Sequence, residues 1–334
     1  MLLISVNAYT QIEGLAKDTN VIWIADLELD FALDKQHQKD NVYSNDIGII
    51  KYVNDDEWEM SETDYFFSNL IFKAISSNRF EVFEDNNLTK LANAYAAILR
   101  LDTNVLVDPI TYETKLCKQQ MPYKSSDVIK YRIHQLLYYN KQTTRFQLKS
   151  IAAAPLVVDV YNENGSVSLK PLFWFKTEDN RPDYNKKSIV WAQRLRTQRN
   201  SIDLYKTNVL KNTFNKSPLV HQFEVFLTDE KTPFYSYNYD IENPMKENVP
   251  LQVRENILST VDTFSVSDDI KIRIGKISAD SIQKLRLIQE WYWDNDSKKL
   301  MIYLVGTAPI IAVKDEQGYF LYDKSLFYRK TNDD

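Results

Sequence analysis

The sequence predicts an α+β protein made of two tandem related modules, each an antiparallel β-meander packed with helices. Three observations carry this. Tyr and Phe are abundant, at 21 and 16 residues, while Gly is scarce at 6; that balance favours strands and helices over glycine-rich loops. Segments with helical spacing of apolar residues alternate with segments rich in β-branched and aromatic residues. Two distant stretches, "HQLLYYNKQTTRFQLKSIAAAPL" at 134–156 and "IQEWYWDNDSKKLMIYLVGTAPI" at 288–310, also share one layout. Each is an aromatic run, a polar turn, a second apolar run and Ala-Pro.

Aligning Pro155 with Pro309 sets an offset of 154 residues (309 − 155), and the register holds without gaps across 125–179. It pairs Lys130 with Lys284, Arg132 with Arg286, Gln135 with Gln289, Tyr138 with Tyr292 and Leu172-Phe173 with Leu326-Phe327. A generic hairpin would share polarity alternation but not identities across three strands and two links. The expected division is a first module at 20–217 and a second, shorter one at 219–334. Residues 1–11, apolar and then ending near Ala8-Tyr9-Thr10, read either as the remnant of an export leader or as an ordinary first strand.

In chain order, Val21 to Leu29 reads as a strand. "SETDYFFSNLIFKAISSN" reads as a helix started by a Ser61/Asp64 capping box, and "NLTKLANAYAAILRL" continues the helical pattern. Lys130 to Tyr139, Arg145 to Ala152, Pro155 to Tyr161 and Val167 to Phe175 read as four strands of a meander. Residues 176–188 form a polar loop. A basic helix with Arg194, Arg196, Arg199, Lys206 and Lys211 follows. "VHQFEVFLTDEKTPFYSY" reads as strands and "VPLQVRENILSTVDTF" as a helix with Pro250 near its first turn. The second meander runs through Lys284 to Trp293, Lys299 to Thr307, Pro309 to Val313 and Tyr319 to Tyr328.

The formal charge of −5, from 41 basic and 46 acidic side chains, gives no global electrostatic case for nucleic acid or an anionic membrane. No stretch reaches the ~18 apolar residues of a membrane-spanning helix. A single cysteine, Cys117, excludes an intramolecular disulfide and a multi-cysteine zinc site. The chain has no phosphate-binding glycine loop, no dinucleotide turn, no H-E-x-x-H and no G-x-S-x-G. His37, His134 and His221 are isolated in sequence, and "DNDS" at 294–297 reads as a turn, lacking the glycine and distant glutamate of a calcium loop. No catalytic residue, metal ligand or cofactor is expected, so the chain reads as a non-enzyme. The candidate protein contacts are the aromatic strands, Tyr138 and Tyr139 in one copy and Trp291, Tyr292 and Trp293 in the other, together with Arg194, Arg196 and Arg199.

The stretch "SSDVIKYRIHQLLYYNKQTTRFQLKSIAAAPLV…LKPLFWF" resembles the core of the GldN/PorN family, gliding-motility and type IX secretion components of Bacteroidota. Tyr138-Tyr139-Asn140-Lys141 matches the family's aromatic strand and turn, Ile151 to Pro155 its Pro-terminated strand, and Leu172-Phe173-Trp174 its last strand. "NSIDLYKTNVLKNTFNKS" at 200–217 is similar to another family segment. A tandem of two such units departs from the ordinary family layout. The resemblance implies a periplasmic, outer-membrane-associated scaffold or ring subunit. Its implied partners are an outer-membrane lipoprotein and the periplasmic part of an inner-membrane motor. The alternative from the residues alone is a soluble ligand- or glycan-binding module built on the aromatic strands.

Overall fold

A computed structural model of the chain describes residues 8–33, 44–52, 66–77, 80–107, 109–110, 112, 114–161, 166–183, 185–200, 210, 217–236, 245–266, 269–315 and 317–332. The strands are β1 (Val21–Phe31), β2 (Ser44–Tyr52), β3 (Leu99–Val107), β4 (Thr114–Pro122), β5 (Val128–Asn140), β6 (Arg145–Tyr161), β7 (Val167–Pro171), β8 (Phe175–Glu178), β9 (Ile189–Asn200), β10 (Ser259–Val266), β11 (Asp269–Lys276), β12 (Ile282–Asp294), β13 (Lys299–Lys314), β14 (Phe320–Ser325) and β15 (Arg329–Lys330). The helices among the described residues are short: α1 (Ala8–Ala16), α2 (Phe66–Ile75), α3 (Ala94–Ala97), α4 (Pro218–Thr228) and α5 (Leu251–Ile257).

This corrects the expected α+β class. The molecule is mostly β, and strands from both halves of the chain join one mixed 11-stranded sheet in the order β1-β5-β6-β8-β13-β12-β9-β2, with β7, β14 and β15 attached at its sides. Short β8 makes the join, antiparallel to β6 and parallel to β13. The ladders also cross the expected boundary near 218, because β9 pairs with β12. The sheet folds over on itself. Phe31 of β1 meets Trp291 of β12 with ring centroids 4.8 Å apart, although five strand spacings, about 24 Å in a flat sheet, separate them along the path. One hydrophobic core therefore takes inward residues from β1, β5 and β6 and from β9, β12 and β13 together. Phe67 of α2 sits between them, touching Tyr131, Trp191 and Trp293.

The 154-residue register reappears in the backbone. Register shifts fall between His134 and Gln135 in β5 and between Ile288 and Gln289 in β12, leaving Ile151 and Val305 as the extra residues of their partner strands. Both hairpin turns close with a non-glycine residue at positive φ, Thr144 and Lys298, each at 56°. Asn140 Oδ1 accepts from the amides of Gln142 and Thr143, and Asp294 Oδ1 from those of Asp296 and Ser297. Gln135 and Gln289, fully buried, exchange amide hydrogen bonds of 3.4 and 3.2 Å. Equivalent residues of the two copies thus meet inside a common core.

Several element assignments change. The strand breaks expected before Pro155 and Pro309 do not occur, and β6 and β13 run through them. In a strand, a residue's N–H and C=O point the same way. The Pro155 carbonyl accepts from Leu172, in the gap between β7 and β8, so the missing N–H falls where no strand needs it; Pro309 and Leu326 repeat this. The basic segment at 189–200 is strand β9, flanked by β12 and β2, and its helix-forming Arg and Gln are overridden by pairing on both edges. Its Lys206 and Lys211 lie outside the described residues, as does the Ser61/Asp64 capping box. Residues 218–228 form α4 and not a strand: buried Leu219, Gln222, Phe223 and Phe226 follow the helical period after Pro218. The helix expected to run through 87–101 is one turn, α3, capped by Asn93 and followed at once by β3. The helix after Pro250 stops at Ile257, where β10 takes over.

Candidate interaction surface and cleft

The aromatic candidates lie mainly inside. Tyr139, Trp291, Tyr292 and Trp293 are fully buried and Tyr138 is half-buried. On β12 the two tryptophans face the main core, whereas Tyr292 packs with Ile189, Ala192 and Met301 on the opposite face. β12 is paired on both edges and covered on both faces, so none of its three aromatics offers a surface to a partner. The Tyr139 hydroxyl is 2.9 Å from His221 Nδ1 on α4, and burial pushes its pKa far up.

Arg194 is also buried. Its Nε and Nη2 reach Glu290 Oε1 at 3.0 and 2.5 Å, from the strand directly beside β12. Glu290 Oε2 takes a hydrogen bond from the Tyr292 hydroxyl and an ion pair at 3.3 Å from Arg181, which lies in the loop after β8. Burial, then the charge of Glu290, raises the Tyr292 pKa and keeps its hydroxyl protonated. Burial opposes the Arg181 charge, but Glu290 and Tyr292 more than offset it, so its pKa is raised. This cluster ties Arg181, after β8, to β12. Arg196 and Arg199 are half-buried on the same strand as Arg194, not on a helical face.

The accessible apolar surface lies elsewhere. Two hairpins leave the main sheet as separate two-stranded arms, β3–β4 and β10–β11, each between a short helix and a 3-10 turn. On the first arm, Leu101, Ile110, Tyr112 and Leu116 are all at least 67% exposed. A free two-stranded hairpin is marginal in water, so such an arm gains from being covered. A second exposed apolar surface lies at the start of β14, where Tyr319, just before the strand, and Phe320, Leu321 and Tyr322 are consecutive and each at least 55% exposed. Four consecutive apolar residues break the alternation of a half-buried strand, a signal visible in the sequence within the expected second meander.

A cleft of about 650 Å³ opens where β8 leaves β6 for β13. Lys149, Ser150 and Ile151 of β6 and the five residues Lys176 to Asn180 line it in unbroken runs. Successive strand residues point to opposite faces, so unbroken runs place the cleft in the plane of the sheet, where two strands diverge. Side chains bridge it in place of a ladder: Ser150 Oγ to Thr177 Oγ1 at 2.7 Å, and Lys149 Nζ to Asp179 Oδ2 at 3.2 Å. The 81–91 segment supplies the other wall with Glu81, Phe83, Leu88, Thr89 and Leu91. Nothing in the sequence marks this cleft, because its walls are brought together only by the path of β8.

His134 is missed by the sequence reading as well. It is buried between β1 and the 83–92 loop, with Nε2 2.7 Å from Asp26 Oδ1 and Nδ1 3.1 Å from the Asn86 carbonyl. Among the described residues, no three His, Cys, Asp or Glu side chains are grouped so as to hold a metal ion, and no helix is long and apolar enough to cross a membrane.

A search of curated proteins returns no match. A comparison with family patterns matches residues 36–217 to the family described as gliding motility associated protein GldN. That span runs from before β2 to just before α4 and includes the β5–β6 hairpin, β8 and β9. With more than half of its length matched, the chain belongs to the GldN family of gliding-motility proteins.

Proposed function

We propose that this chain is a non-enzymatic scaffold or ring subunit of the type IX secretion and gliding machinery, held in the periplasm at the outer membrane. Its partners in this reading are an outer-membrane lipoprotein and the periplasmic part of an inner-membrane motor. The observation that supports it, beside family membership, is the placement of exposed apolar side chains on β elements outside the main strand path: Leu101 and Leu116 on the β3–β4 arm, Phe320 and Tyr322 on β14. Strand edges and apolar hairpin faces are suited to pairing with other protein chains.

The test is crosslinking and pull-down from native membranes. Replacing Leu101 and Leu116 with Ser, or Phe320 and Tyr322 with Ser, is expected to remove crosslinked partners. Stability should stay within about 0.5 kcal/mol, as for other surface positions. Normal secretion and surface spreading in a deletion strain would overturn the reading.

A second reading, a soluble ligand- or glycan-binding module, is favoured by the cleft between β6 and β8. Trp291 and Trp293 do not discriminate the two, since their substitution perturbs the core. Changing Thr89 and Lys176 does: loss of a bound sugar or small molecule with assembly intact selects the second reading.

A further inference from the structure

The 83–92 loop walls the cleft and is joined to the sheet at a few points. Phe83 and Trp174 exchange two backbone hydrogen bonds of 2.7 and 2.8 Å. Leu88 is buried against Ile24, Leu136 and Ile151, although its φ of 57° lies in the left-handed region. Within the loop, the Asp85 carboxylate accepts from the amides of Asn87, Thr89 and Lys90 and from the Thr89 hydroxyl, so the turn holds its own shape. Its middle is fastened through Asn86, whose side-chain amide donates to Glu28 of β1 and whose carbonyl faces His134 Nδ1.

His134 therefore has an acceptor at each ring nitrogen, a carboxylate on β1 and a carbonyl on the loop. A neutral imidazole carries one N–H and would turn a lone pair on one of them. Only the doubly protonated ring donates to both. We propose that His134 is a pH-operated latch: as imidazolium it fastens the 83–92 loop across β1 and β5, and on losing its proton it releases Asn86 and frees that wall of the cleft.

The charges around the ring favour this. From β1 it faces Asp26 and Glu28, and from the loop the Asn86 carbonyl. Asp85 is turned onto its own loop, the cross-strand neighbour on β6 is Ala152, and Arg132 on β5 is paired with Asp30. Burial opposes the charge, but the hydrogen bond to Asp26, the Asn86 carbonyl and the two carboxylates outweigh it, and the pKa stands above its ordinary value. A raised value means the latch is fully engaged below the ordinary histidine pKa of about 6.5 and is lost as pH rises through the latched one.

The test uses the intact protein with ¹⁵N-labelled histidine, whose three side chains make the spectrum assignable, together with amide hydrogen exchange. At about pH 6 both His134 ring nitrogens carry protons. Between the open and latched pKa values, protection of the Phe83 and Trp174 amides, which pair the loop with the sheet, falls by up to about tenfold per pH unit. Protection in the β12–β13 hairpin stays constant. His134→Gln lowers loop protection and removes its pH dependence. An unprotonated ring nitrogen at about pH 6 overturns the proposal. So does joint loss of protection in loop and hairpin, or a His134→Gln variant with the wild-type profile. If that variant does not fold, the wild-type spectra and exchange decide alone.

Discussion

Gly306 and Ala152 occupy equivalent places in the two copies, yet only one of them tolerates a side chain. A Cβ added at Gly306 would lie 2.7 Å from the Arg329 carbonyl oxygen and 2.7 Å from Met245 Cε, both inside the fold. Gly306→Ala is expected to destabilise by about 1–3 kcal/mol, read as a lower urea midpoint. The reverse change, Ala152→Gly in β6, makes no clash; it removes one methyl and adds backbone freedom to the unfolded chain, a cost of about 1 kcal/mol. The two core tryptophans differ in a similar way. Trp291 Nε1 donates to Gln289 Oε1 at 2.9 Å, within the buried glutamine pair, whereas Trp293 Nε1 has no partner among the described residues. Trp291→Phe should therefore cost about 1–3 kcal/mol more than Trp293→Phe, because only it removes a satisfied buried bond. Chemical denaturation of the two variants side by side checks this. At this scale the sequence was partly legible: the register placed Gln135 opposite Gln289 in an alignment, but not that the two would touch.

Elements were readable where one edge or face dominated and misread where two influences competed. β1, β5 and β12 follow their β-branched and aromatic content. β9 contains Arg and Gln at helical spacing, and its identity depends on β12 and β2, from remote parts of the chain. α4 shows the converse: its Val and Phe content suggested strand, while its apolar spacing fits a helix docked on the first hairpin. Gln222 Nε2 on α4 donates to the Thr144 carbonyl at 3.0 Å, and Arg329 Nη2 to that of Thr143 at 3.1 Å. Gln222→Leu should leave a buried carbonyl without this donor and destabilise by about 1–3 kcal/mol. Faster hydrogen exchange at 140–145 would identify the hairpin tip as the element released; unchanged exchange there would show the contact to be dispensable.

For the whole molecule, the decisive feature is that β9 and β2 lie against β12, although a division near residue 218 separates them from it in sequence. A chain ending at 217 would expose one edge of β9, one edge of β8, and the inner faces that meet Trp291 and Trp293. Such a fragment is expected not to fold as a monomer, and the intact chain to unfold in one cooperative transition by calorimetry. Two well-separated transitions would show instead that the halves are energetically independent.

Sequence alone determined the 154-residue register shared by the two hairpins, their paired turns, the absence of a recognisable catalytic motif and the resemblance that family membership later bore out. These are local: they depend on side-chain identity and spacing along a few dozen residues. Tertiary structure decided that both halves share one sheet and one core, that Trp291, Trp293 and Arg194 are interior, and that exposed apolar side chains sit on the β3–β4 arm and at β14. It also placed His134 between Asp26 and Asn86 and opened the cleft beside β8. Those outcomes depend on which remote strand lies alongside, and hydrophobic burial and backbone pairing choose that neighbour without leaving a periodic trace in the chain.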